Sequence, residues 1–231
     1  MDRRAERQEW VLVTPRLKIC CISDTNEAKL AIAFGAAALG FVSEMPSGPG
    51  VIPESLIAEI IDVVPPGVAT FLLTCRVDAD SIVEQQRRTS ANTLQLVEEV
   101  APGVHTQIRR ALRGIKLVQV IHVTGPGAVD QALKVAPDVD ALLLDSGNPT
   151  LPVKELGGTA RVHDWSLSRQ IVQQCTKPVF LAGGLNATNV ALAIAAVGPY
   201  GLDVCSGVRT DGRLDPEKLA AYRSAIASAG S

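Results

Sequence analysis

Eight short apolar runs recur along the chain, separated by stretches with helical spacing, and no other feature restricts the fold as much. The runs are "LKICCI" (17–22), "AALGFV" (37–42), "VATFLLTC" (68–75), "TLQLV" (93–97), "KLVQVIHV" (116–123), "ALLLD" (141–145), "PVFLAGG" (178–184) and "GLDVCSG" (201–207). Helical periodicity marks "PESLIAEIIDVV" (53–64), "DADSIVEQQRRT" (78–89), "NATNVALAIAAV" (186–197) and "DPEKLAAYRSAIASA" (215–229). Asp78, Asn186 and Asp215 read as helix N-caps, and Pro53 and Pro216 as first-turn residues. Strand alternating with helix predicts a parallel sheet covered by helices. Eight such units in 231 residues fit a closed (β/α)8 TIM barrel. A five-unit doubly wound sheet would leave about a third of the chain unused. The expected fold is therefore α/β in one domain, with an N-terminal arm over 1–16 and a barrel over 17–231.

Composition agrees. Hydrophobic residues make up 47% of the chain and aromatics 3%, so Ala, Val, Leu and Ile must build the core, as in buried parallel sheets. A net charge of −2 provides no basic excess for nucleic acid or an anionic membrane. No apolar run has the length of a membrane span, and "MDRRAERQEWVLVTPR" lacks the apolar core of a signal peptide. Five unevenly spaced cysteines form no disulfide framework, which predicts a reducing cytoplasm. Three scattered histidines, among them His122 and His163, offer no ligand pair with metal spacing, so no metal site is expected.

A barrel of this kind places its chemistry at the carboxyl ends of the strands. Cys20 and Cys21, Asp145, Gly183 and Gly184, and Ser206 and Gly207 fall at such ends. Side chains alternate along a strand, so one of the two adjacent cysteines should point inward; if that is Cys20, Lys18 shares its face and is expected to touch substrate. A neighbouring ammonium favours the thiolate and makes Cys20 a candidate base or nucleophile. Asp145 follows an aliphatic run, where burial would raise its pKa and suit it to act as a general acid. "LAGGLNATN" and "DVCSGVRTDG" each run from strand through glycine to a helix start, the pattern of a phosphate cradle after strands seven and eight. The longest irregular piece, 146–165, follows strand six and has the length of a functional loop.

These residues resemble the phosphoribosylanthranilate isomerases, barrel enzymes of tryptophan biosynthesis. The resemblance runs from about residue 17 to the C-terminus. It rests on "KIC" (18–20), "ALGFV" (38–42), "LLLD" (142–145), "GGT" (157–159) with "DW" (164–165), "LAGGLN" (181–186) and "GLDVCSGV" (201–208), in that order. It implies an aldose–ketose isomerase that carries out an Amadori rearrangement without metal or organic cofactor. Cys20 falls on the family's general base and Asp145 on its general acid. Gly183, Gly184, Ser206 and Gly207 fall on the phosphate site, and Asp203 on the active-site aspartate near the substrate amine. The expected partner is a small phosphorylated sugar, bound by a monomer or homodimer.

Several positions depart from the family pattern. Cys21 stands where the family usually has glycine. Gly50, in "PSGPGVI" (46–52), aligns with the arginine that holds the substrate's aromatic end; Val97 replaces a histidine, and Arg209 a glutamate. Losing a charge-assisted bond to a carboxylate weakens binding by about 1.5–3 kcal/mol. Arg209 or Arg161 is the candidate replacement. The acid and base positions are kept and the ring-recognition positions changed. Two other readings follow from that: a related isomerase acting on a different sugar–amine adduct, and a non-catalytic barrel that binds a phosphorylated metabolite.

Overall fold

The computed structural model describes residues 14–147 and 162–229. Eight parallel strands close into a barrel in sequence order. They are β1 (Arg16–Ile19), β2 (Ala38–Val42), β3 (Ala69–Thr74), β4 (Thr93–Leu96), β5 (Lys116–His122), β6 (Ala141–Asp145), β7 (Val179–Leu181) and β8 (Gly201–Val204). The connecting helices are α1 (Thr25–Ala33), α2 (Glu54–Asp62), α3 (Ala79–Thr89), α4 (Val104–Ala111), α5 (Gly127–Val135), α6 (Trp165–Gln174), α7 (Val190–Val197) and α8 (Pro216–Ala229). The fold is the expected TIM barrel. Among the described residues no helix is long and apolar enough to cross a membrane.

Strand alternation divides the apolar residues into two layers. Ile19, Leu39, Phe41, Leu142, Leu144, Leu202 and Val204 face outward and pack under the helices. Ala38, Val42, Phe71, Val118, Val120, Leu143 and Phe180 fill the barrel. Phe71, Phe180 and Tyr200 stack edge to face, with centroids 5.9 and 5.5 Å apart. Buried on both faces, the strands read as continuous apolar runs, which is why they were visible as such.

Most strands are shorter than their apolar runs. β1 ends at Ile19, β7 before Gly183, and β8 before Cys205, so the polar residues that follow belong to turns above the sheet. Helix starts agree where a carboxylate can cap. Asp78 accepts from the Ser81 N–H at 2.9 Å, and Asp215 from the Glu217 and Lys218 N–H groups at 2.9 and 3.2 Å. Asn186 differs: its Oδ1 accepts from the Thr188 N–H at 2.8 Å in a turn, and α7 begins only at Val190. Pro53 sits at the cap position of α2 rather than in its first turn.

Candidate active site

A pocket opens at the carboxyl ends of the strands, where this fold collects its chemistry. Cys20 just after β1, Asp145 from β6, Gly183 and Gly184 after β7, and Asp203 and Ser206 from β8 and its turn all line it. Gly207 lies beside them, and its backbone touches the preceding loop so closely that a Cβ there would meet the Leu185 carbonyl oxygen at 2.0 Å. Only glycine permits the β7 and β8 turns to lie that close. Gly183 and Gly184 have φ of +83° and +64°, backbone that glycine adopts without strain.

Lys18 is fully buried beneath the pocket, and its Nζ lies 2.8 Å from Asp203 Oδ1. The pairing follows from the register, which sets Lys18 opposite Asp203 where β1 and β8 close the barrel. Burial works against the ammonium charge, but the Asp203 carboxylate, with Cys20, outweighs it and holds the lysine pKa above its ordinary value. The ammonium also sits 5.3 Å from the centre of the Phe71 ring. Gly40 on β2 makes room for this arrangement. A Cβ at Gly40 would lie 2.8 Å from the Cys20 sulfur and 2.9 Å from Lys18 Nζ, so thiol and ammonium share one face over a glycine.

Asp145 is buried, and burial is the main cause of its raised pKa; the Ser146 N–H, donating at 2.8 Å, and the neighbouring His122 pull the other way. His122 donates from Nε2 to the Val97 carbonyl at 3.0 Å, which fixes the tautomer of its ring. His163 bonds Ser168 Oγ at 2.7 Å, and burial lowers its pKa to about 4, so it is neutral near pH 7. Among the described residues no three His, Cys, Asp or Glu side chains converge to hold a metal ion.

Three findings differ from the sequence expectations. Cys20 and Cys21 both line the pocket, although neighbours on a strand would face opposite ways. The strand has already ended, and Cys21 takes φ +63°, which turns its side chain back to the same side. Arg209, expected as a substrate contact, is buried away from the pocket. Its Nη1 and Nη2 donate to Glu27 Oε1 and Oε2 at 2.7 and 3.0 Å, and Nη2 also donates to the Cys20 and Cys21 carbonyls at 3.1 and 2.6 Å. It fixes the turn that carries both cysteines. Lys18, also expected to touch substrate, instead supports Asp203 from below. Arg161 and "GGT" (157–159) lie outside the described residues.

Gly50 and Cys21 form one unit. A Cβ at Gly50 would lie 2.5 Å from Cys21 Cβ and 3.0 Å from its Cα, so no side chain fits at 50 while Cys21 holds its place. The side chain at 21 therefore requires glycine at 50. Sequence reasoning passed over Gln95, which presents its amide to the pocket with a buried oxygen that lacks a partner among the described residues. Met45, Ser47 and Pro49 also line the pocket; its described lining has no lysine or arginine.

A closed eight-stranded barrel with this polar pocket over its strand ends defines a TIM-barrel enzyme. The family profile for N-(5'phosphoribosyl)anthranilate (PRA) isomerase matches residues 17–225, and the chain belongs to that family. It is 35% identical over 217 residues to N-(5'-phosphoribosyl)anthranilate isomerase from Halorubrum lacusprofundi, covering 93% of this chain and 96% of the relative. The crystal structure of phosphoribosyl anthranilate isomerase from Thermotoga maritima superposes with a TM-score of 0.79 at 26% identity, covering 93% of this chain and 99% of the other. A further solved phosphoribosyl anthranilate isomerase was crystallised in complex with reduced 1-(o-carboxyphenylamino)-1-deoxyribulose 5-phosphate. It has a TM-score of 0.77 and 25% identity, with 93% and 99% coverage.

Proposed function

We propose that the protein isomerises N-(5'-phosphoribosyl)anthranilate to 1-(o-carboxyphenylamino)-1-deoxyribulose 5-phosphate, a step of tryptophan biosynthesis carried out in the cytoplasm. One observation carries the reading: Cys20 and Asp145, 125 positions apart, line one pocket with the glycine turns that would bind the phosphate. Asp145, whose pKa burial raises, donates to the furanose ring oxygen; the C1–O bond breaks and the nitrogen lone pair forms an iminium. Cys20, as the base, removes the proton from C2, leaving an enolamine. A proton then returns to C1 as the enolamine becomes the ketone, and the reaction balances with no oxidant or reductant. Asp203, held by Lys18, is suited to orient the amine. Gly183, Gly184, Ser206 and Gly207 hold the phosphate on backbone amides.

The test is conversion of N-(5'-phosphoribosyl)anthranilate, followed as loss of its fluorescence. Asp145→Asn should lower kcat by about 10²–10⁴-fold, the usual contribution of a general acid. No turnover at high enzyme concentration overturns the reading. The absence of a cation from the described pocket lining favours a second substrate, an adduct whose amine part carries no carboxylate. The phosphoribosyl adduct of aniline distinguishes them: if it is converted with the higher kcat/KM, the second substrate is the right one.

A further inference from the structure

Cys21 and Cys205 are 184 positions apart, yet their sulfurs lie 2.7 Å from each other on the pocket wall, and both are free thiols. The barrel seam brings them together. Ile19 pairs with Val204 across β1 and β8, and the Cys20 N–H donates to the Val204 carbonyl at 2.9 Å. Just past that bond both backbones leave the sheet, Cys21 at φ +63° and Cys205 at φ −123° and ψ −86°. Those two turns aim the sulfurs at one another instead of at opposite faces.

The two thiols differ in character. Cys205 is half-buried, and the Cys21 thiol bonded to it, with the Arg209 charge nearby, holds its pKa below the ordinary thiol value despite burial. Cys21 is the reverse: bonding to Cys20, then to Cys205, then burial, all raise it, so it keeps its proton. A more acidic, more accessible thiol beside a protonated partner is the layout of an attacking and a resolving cysteine.

We propose that Cys21 and Cys205 are a reversible dithiol–disulfide couple, a modification site on the pocket wall that ties turnover to thiol redox state. The oxidant is a low-molecular-weight disulfide. The Cys205 thiolate attacks one of its sulfurs, forming a mixed disulfide and expelling the first thiolate. The Cys21 sulfur, giving its proton to that thiolate, attacks the Cys205 sulfur and expels the second, which takes up the proton left by Cys205. Two electrons and two protons pass to the oxidant, which leaves as two thiols. Bond formation draws the sulfurs to about 2.05 Å. It removes the thiol beside Cys20 and tethers the turn that carries Ser206. The couple itself does not depend on the proposed function; only its effect on turnover does.

The test oxidises the full-length protein with oxidised glutathione, alkylates it, digests it without reduction and maps the linked peptides. The expected result is loss of two thiols per chain, a Cys21–Cys205 linked peptide, and a higher melting temperature because a long loop has been closed. Turnover falls several-fold, and dithiothreitol reverses every change. Cys205→Ser gives no such link and no rise in melting temperature. Cys75 and Cys175, outside the pocket lining, are internal controls. If oxidant that already glutathionylates either of them leaves Cys21 and Cys205 unlinked, or links Cys20 to Cys21, the couple is overturned. A Cys21–Cys205 link with unchanged turnover overturns the connection to catalysis. Peptide mapping reads the couple whatever the substrate proves to be.

Discussion

Replacing Arg209 by methionine separates two roles for that side chain. The guanidinium makes a two-bond pair with Glu27, itself buried, and also donates to the Gly212 carbonyl at 2.9 Å and to the carbonyls of Cys20 and Cys21. Methionine keeps much of the volume and removes the charge, leaving Glu27, among the described residues, with the Leu214 and Ser23 N–H groups, at 2.8 and 3.1 Å. Breaking a buried pair from one side costs about 3–5 kcal/mol. At about 2–4 °C per kcal/mol for a chain of this size, the melting temperature should fall by about 6–20 °C. The effect depends on pH. Burial raises the Glu27 pKa, but the bonds from Arg209 and Leu214 outweigh it and hold the group below its ordinary value. Its stabilisation is therefore full above the unfolded carboxylate value, about 4.3, and is lost as pH falls through the lower folded value. The gap between wild type and variant, read by thermal melts from pH 7 to 3, should narrow toward the acid end. A drop of under about 2 °C, smaller than one kcal/mol predicts, together with a large rise in KM, would refute the structural role and return Arg209 to substrate binding.

Asp145→Asn should raise the melting temperature near neutral pH while lowering kcat. A carboxyl whose folded pKa is raised by burial costs stability increasingly as pH rises above the unfolded value of about 3.9, and the gain should vanish in melts below that value. For the same reason kcat should fall as pH rises through the Asp145 pKa, because the acid must carry its proton; a pH–rate profile flat on its alkaline side counts against the role. Gly40→Ala forces a methyl into the space of the Cys20 sulfur and Lys18 ammonium, so kcat should fall more than stability, measured by kinetics beside urea titration. Gly50→Arg alone should destabilise through its clash with Cys21, and the double variant with Cys21→Gly should recover; strictly additive effects in the double-mutant cycle would show that the two sites are independent.

Most of the barrel was legible because parallel strands are buried on both faces and their apolar runs stand out against the helical spacing between them. The inward face was legible for the same reason: counting back by two from Cys20 reaches Lys18, and both meet over Gly40. Strand ends were less so, since "PVFLAGG" stays apolar past the last paired residue, and α7 starts late because Asn186 bonds within its own turn. Cys21 shows the limit of alternation, which applies only while the strand continues.

By itself the sequence determined the barrel, the ends at which its polar groups collect, and the thiol, carboxyl and glycine turns that carry the family resemblance. Those features depend on spacing along a few consecutive residues. Tertiary structure alone decided that Arg209 turns to Glu27, that Cys21 takes the space of a side chain at 50, and that Cys21 meets Cys205. Each depends on a partner that closure of the β1–β8 seam or folding of a distant loop supplies, and no local pattern encodes what lies across that gap.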